Sequence, residues 1–132
     1  MAFERQEDAR RLEAVRRRRK RIDEALPRIV AALSAFPNVQ RAILFGSVAR
    51  GDVAADSDID IAVEGLSPAD YVRLWLRIEE AAGGVSFDLV ELDKVSSWLR
   101  DVIVEEGAVI YDRAGAGEKD SGSSQAADHY GE

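Results

Sequence analysis

From Glu4 to Phe36 the apolar residues Leu12, Val15, Ile22, Leu26, Ile29, Val30 and Leu33 return at roughly helical intervals. They form one stripe through a segment rich in Ala, Arg, Leu and Glu and free of Gly, which predicts helix. Pro27 starts a second helix or kinks the first, so a break is predicted near Ala25–Leu26. Phe36-Pro37-Asn38 stops the pattern. Residues 39–45, VQRAILF, then read as a strand whose Ile43, Leu44 and Phe45 are too continuous for an exposed edge. Residues 58–63, DIDIAV, alternate strictly and give the clearest strand in the chain. In SPADYVRLWLRIEEAAG, Ser67 is placed to cap a helix, Pro68 opens it and Gly83 ends it. Val72, Trp75, Leu76 and Ala82 line one side of that helix. Residues 85–92, VSFDLVEL, are rich in β-branched and aromatic residues and predict a third strand. Residues 96–107 predict a short helix closed by Gly107, and 108–112, AVIYD, a final short strand. After Arg113 the chain turns to Gly, Ser, Ala and acidic residues without periodicity, the composition of a disordered tail.

This order predicts a small α/β (α+β) domain, with helices packed on a mixed sheet of three to four strands. Three segments are expected: a basic helical segment over 1–36, a core over 37–112 and a tail over 113–132. The 132 residues suffice for one domain with a real core, and 46% hydrophobic with 33% charged residues is the composition of a soluble globular protein. Cysteine is absent, and the single histidine, His129, lies in the polar tail. Disulfides, thiolate nucleophiles, Cys-type metal sites and Ser-His-Asp triads are thereby excluded. Catalysis is left to carboxylates, hydroxyls, Arg, Lys or a bound metal. The basic N-terminus is not followed by an apolar run of signal-peptide length, and no apolar stretch is long enough to span a bilayer, so a cytoplasmic protein is expected.

The net charge of −7 is unevenly spread. Residues 1–28 hold ten Lys/Arg against six Asp/Glu, and the remainder holds eight against nineteen. A basic arm beside an acidic body assigns different partners to the two ends. Arg16–Arg21, RRRRKR, fan out around a helix instead of forming one flat patch. A solvated, mildly self-repelling face is expected there in preference to a nucleic-acid site.

Between the first two strands lies a loop dense in small residues and carboxylates, with Asp52, Asp56, Asp58 and Asp60 inside nine positions. Carboxylates packed like this repel one another unless a cation sits among them. An EF-hand starting at Asp56 would need Gly at its sixth position and Glu at its twelfth, but Ile61 and Ser67 stand there. The alternative uses the strand. Asp58 and Asp60, two apart, point to one face, while Ile59 and Ile61 point into the core. Two carboxylates side by side are hard oxygen ligands suited to Mg²⁺, which keeps waters and recruits substrate phosphates. Asp88 interrupts an otherwise apolar strand and is the candidate third ligand. Gly46-Ser47 directly follow a strand, where a tight turn can open a helix whose first N–H groups cradle a phosphate. Arg50, one turn on, can reach that phosphate with its fork of donors. The expected pair is Mg²⁺ and a nucleoside triphosphate, ATP or a relative.

GSVARGDVAADSDID, with Gly-Ser, ten residues and then Asp-x-Asp, resembles the signature of the DNA polymerase β-like nucleotidyltransferases. The resemblance is to the minimal (MNT) group and runs from about Val39 to Asp112, including FDLVEL and EEGAVIYD. It implies a polymerase β palm-like core in which Gly46 and Ser47 hold the triphosphate of ATP with help from Arg50. Asp58 and Asp60 would bind two Mg²⁺ ions, and Asp88 would bind one and act as base toward the attacking hydroxyl. Many minimal members are antitoxins paired with a HEPN-type RNase toxin, and some silence it by transferring AMP to a tyrosine. The resemblance therefore implies ATP and such a toxin as partners. Val48 departs from the polar residue that often follows Gly-Ser in the group.

Plainer roles stand beside these. Asp88 can be a charge that protects an edge strand, Arg50 an ion-pair partner of Asp52 or Asp56, and Asp52 and Asp56 turn formers. Trp75 and Trp98 sit at helical core spacing as core or partner contacts. A binding module that neutralises its partner by contact alone is the alternative to the enzyme.

Overall fold

The computed structural model describes residues 2–117. In chain order these form α1 (Ala2–Ser34), β1 (Arg41–Phe45), α2 (Gly46–Arg50), β2 (Ile59–Glu64), α3 (Pro68–Ala82), β3 (Phe87–Glu91), α4 (Ser97–Glu106), β4 (Ala108–Asp112) and α5 (Arg113–Gly117). Among the described residues the strands make one four-stranded sheet in the order β3-β2-β1-β4. β1 runs antiparallel to β2 and β4, whereas β2 and β3 are parallel and joined through α3. The mixed sheet predicted from the strand patterns is the one observed.

Strand alternation sorts the side chains into two cores. Leu44, Ile59, Ile61, Val63, Leu89 and Ile110 meet Ile22, Ile29 and Leu33 of α1 and Leu74 and Ile78 of α3 on one face. On the other face Ile43 and Ala62 meet Leu92 and Ile103, with Phe45, Val90 and Leu99 around them. The sheet is thus covered by α1 and α3 on one side and by α4 on the other.

The predicted break at Ala25–Leu26 is absent: α1 runs through Pro27 without interruption. A proline inside a helix costs about 3 kcal/mol. Ile22, Ala25, Leu26, Ile29 and Leu33, on both sides of it, are buried, and each large apolar side chain contributes about 1.5–3 kcal/mol. Packing outweighs the local penalty, and Pro27 itself is exposed. The start of α1 is different, since positions 5–13 are exposed throughout.

Arg21 at the end of the basic run is not simply solvated. It donates to the Gly83 carbonyl at 3.0 Å, and Arg28 donates to the Ala81 carbonyl at 2.8 Å. α3 has no basic residue of its own in its last turn. α1 therefore supplies the cations that favour the negative end of the α3 dipole. Ser67 caps the other end of α3, accepting from the Asp70 amide. The buried stripe of α3 is Leu74, Ile78 and Ala82, whereas Val72 and Leu76 face solvent, a correction to the predicted stripe. The apolar run on α3 is wider than one face, and the position of α1 decides which part is covered.

Arg113–Gly117, expected to belong to the tail, instead form the short helix α5; the rest of the expected tail, residues 118–132, lies outside the described residues. Arg113 is an anchor: it donates to the Val39 carbonyl at 2.9 Å and the Phe36 carbonyl at 2.8 Å. Its guanidinium also lies 5.6 Å from the centroid of the Tyr111 ring. The chain emerging from α1 is thereby tied to the end of β4. Arg113→Ala leaves the partly buried Val39 carbonyl without its donor and the Phe36 carbonyl with the Val39 amide alone, and should cost about 1–3 kcal/mol. The Tm should then fall by about 5 °C or more, and an unchanged melting curve would show that the anchor contributes nothing.

Candidate active site

The site forms where β1 ends and β2 and β3 begin. β1 stops at Phe45, whose partner across the antiparallel pair is Asp60. The next residue, Gly46, turns the chain into α2 with φ +77°. A Cβ on Gly46 would overlap the Asp60 carboxylate. Glycine is required twice over, by its left-handed backbone and by that close approach. The Gly-Ser turn is in this way laid directly against Asp60.

In the parallel pair Asp60 stands opposite Asp88. Both side chains therefore project from the same face of neighbouring strands, about 4.8 Å apart in backbone spacing. Asp58, just ahead of β2, is exposed, and the Ser86 hydroxyl donates a hydrogen bond to its Oδ1. The Ile59 amide donates to the Ser86 carbonyl at 3.0 Å, which extends the β2–β3 ladder by one step. Burial, then the charges of Asp88 and Asp58, push the Asp60 carboxyl above its ordinary value, and Arg50 opposes them.

The loop from Gly51 to Asp58 is held by Ser57, the one buried polar side chain among the described residues. Its hydroxyl accepts from the Ala54 amide at 2.8 Å and from the Ser47 hydroxyl at 3.2 Å. The α2 N-terminus carries no side-chain cap. Val48 turns into the core, 8% exposed, and presents nothing to the site. Arg50 is half-exposed with its Nε 3.5 Å from Asp52 Oδ2, the rim ion pair expected as its plainer role. Its effect on Asp60 shows that its charge also reaches the carboxylates.

The fold brings Gly46, Ser47, Arg50, Asp58, Asp60 and Asp88, the candidates of the sequence pattern, to one end of the sheet. Ser57 and Ser86 carry no signal in the sequence, because what draws each to the site is a hydroxyl or carboxylate on another element, Ser47 for the first and Asp58 for the second. Trp75 is half-buried with its ring centroid 5.1 Å from that of Phe87, whereas Trp98 is exposed on α4. An open groove of about 280 Å³ lies beside Ser86, lined by Trp75, Glu79, Gly84, Val85, Ser86 and Phe87.

Among the described residues no three Asp, Glu, His or Cys side chains already surround one point as a metal cage. Mg²⁺ rarely uses such a cage; it takes one or two carboxylates and completes its shell with water and substrate phosphates. Asp60 beside Asp88, with Asp58 next to them, is a hard anionic donor set of that kind, and the raised Asp60 carboxyl marks the uncompensated charge. The residues fit the ion.

The polymerase beta nucleotidyltransferase family matches residues 28–115. A Methanocaldococcus jannaschii protein, provisionally named a protein adenylyltransferase, is 41% identical over 71 residues, covering 52% of this chain and 75% of that protein. A chain of a toxin–antitoxin complex crystallised with AMP-PNP superposes with a TM-score of 0.57 at 30% identity, over 66% of this chain and 73% of the other. A complex of a tri-AMPylated Shewanella oneidensis HEPN toxin with its MNT antitoxin gives 0.52 at 25% identity, over 80% of each chain.

Since Asp60 titrates higher when folded than when unfolded, the native state binds more protons between the two values, and stability falls as pH rises through that window. Asp60→Asn should thus raise the Tm of the metal-free protein by a few degrees at neutral pH. The gain should shrink as the pH approaches the ordinary aspartate range, where the wild-type carboxyl is itself protonated. Thermal melts across that range check this, and a pH-independent difference would refute the charge origin. Gly46→Ala should destabilise by about 1 kcal/mol or more through left-handed strain alone, measurable by urea unfolding.

Proposed function

Because the chain belongs to the polymerase β nucleotidyltransferase family, we propose that it transfers AMP from ATP to a hydroxyl of a partner protein. The partner is a HEPN-type RNase toxin, which the modification neutralises, and the chain acts as its antitoxin. Carrying the reading is the placement of Asp60 against Asp88, with the Gly46-Ser47 turn packed on the Asp60 carboxylate. That end of the sheet offers anionic donors beside uncapped backbone amides, as a metal-bound triphosphate requires. Support for ATP and for the toxin comes from the relatives, one crystallised with AMP-PNP and one bound to an AMPylated HEPN toxin.

In this reading Ser47 and the α2 amides bind the triphosphate, with Arg50 at the rim able to exchange Asp52 for a phosphate. Asp58 and Asp60 would hold two Mg²⁺ ions, and Asp88 would share one. When bound, Mg²⁺ neutralises the triphosphate and lowers the pKa of the acceptor hydroxyl. Asp88, contributed by a separate strand, takes the hydroxyl proton. The acceptor oxygen bonds to the α-phosphorus as the bond to the bridging oxygen breaks, and pyrophosphate leaves. The site supplies chiefly positioning and charge complementarity. An alcohol is the expected acceptor, since a carboxylate base beside divalent cations suits its deprotonation near neutral pH. A transferase that uses ATP and Mg²⁺ is expected in the cytoplasm. Among the described residues no helix is long and apolar enough to cross a membrane.

Incubation with ATP, Mg²⁺ and the toxin should add the mass of one or more AMP groups to the toxin. Asp60→Ala should lose transfer by at least about a hundredfold while still co-purifying with the toxin. Mass spectrometry and a toxin-activity assay, run side by side on both proteins, decide the matter. An unmodified toxin silenced equally by wild type and variant would replace the transferase with an antitoxin acting by contact alone.

A further inference from the structure

Resting on that reading, we propose that Ser86 is a positioning residue that holds the Asp58 carboxylate in its metal-binding orientation. Asp58 precedes β2 and is exposed, with Asp60 and Asp88 as its acidic neighbours. Left alone, an exposed carboxylate beside two others would rotate toward water and away from them. The Ser86 hydroxyl opposes that rotation by donating to Oδ1, which leaves Oδ2 for a cation. Ser86 is itself fixed, because its carbonyl accepts from the Ile59 amide at 3.0 Å. It stands two residues before Asp88, immediately ahead of β3, so the segment that leads into the Asp88 strand also carries the brace for Asp58.

The chemistry of the hydroxyl suits this task. Lys or Arg here would pair with Asp58 as a counter-ion and compete with the metal. A neutral donor orients the carboxylate and keeps its full charge. Both side chains are exposed, so the bond contributes little to folding, and orientation is what it can supply. Hydrogen-bond partners of metal ligands commonly change metal affinity about 10- to 100-fold.

The probe is Mn²⁺ with AMP-PNP, followed by the EPR signal of free Mn²⁺ on the full chain. Ser86→Ala should raise the Mn²⁺ concentration for half-saturation about tenfold. Ser86→Thr, which retains the hydroxyl, should remain near wild type, and the isosteric Ser86→Val should match Ala. The metal-free Tm should be similar in all four proteins. A purely structural role would instead lower the Tm of the Ala and Val variants and leave half-saturation unchanged. Identical Mn²⁺ curves for the Thr and Val variants would overturn the proposal even if Ala folds poorly. Wild-type protein that takes up no Mn²⁺ with AMP-PNP would overturn the transferase reading, and this inference with it.

Discussion

Asp60 and Asp88 face each other because the residues that flank them leave β2 and β3 no other register. Ile59 and Ile61 are fully buried and Leu89 almost so, and a slip of either strand by one residue would turn its buried side chains to the opposite face. Burying each such side chain is worth about 1.5–3 kcal/mol. Two unit charges this close repel by about 1–4 kcal/mol at surface-like dielectric. Burial wins, and the folded protein holds the Asp60 carboxyl above its ordinary value, first through its own burial and then through the charges of Asp88 and Asp58. The fold thus stores at one end of its sheet an electrostatic demand that a cation can satisfy.

The rest of the molecule is arranged around that end. Gly46 admits α2 against Asp60, Ser57 ties the intervening loop to Ser47, and Ser86 braces Asp58. At the opposite end of the β1–β2 pair, Glu64 pairs with Arg41 at 3.0 Å and Arg100 at 3.3 Å. Charge is compensated there by protein partners. At the site end the cation shown is Arg50, shared with Asp52 on the rim. That asymmetry separates an ion-pair network from a binding site, although both use carboxylates on the same strand.

The basic segment has two roles in the fold. Its C-terminal part, through Arg21 and Arg28, completes the end of α3 and belongs to the core architecture. Its N-terminal part is exposed over positions 5–13 and falls before the residues that the family match covers. Composition treats both as one charge run, but helical packing divides them.

Local periodicity and spacing determined much of this protein. The strict alternation of 58–63, the Ser67 and Gly83 caps and the Gly-Ser to Asp-x-Asp interval each depend on neighbours a few residues away. Such signals specify a strand, a helix and a shared face without knowledge of the fold. Tertiary structure decided the rest. It carried α1 through Pro27, because burial on both sides exceeded the cost of one lost hydrogen bond. It covered Leu74 and Ile78 instead of Val72 and Leu76, because α1 lies on that side. It drew Arg113 out of an apparent tail, because the carbonyls of Phe36 and Val39 end beside it. Ser57 and Ser86 became site residues only through partners that the sheet brought close. Sequence patterns encode which face a residue takes, whereas contact between distant segments depends on what the whole chain buries.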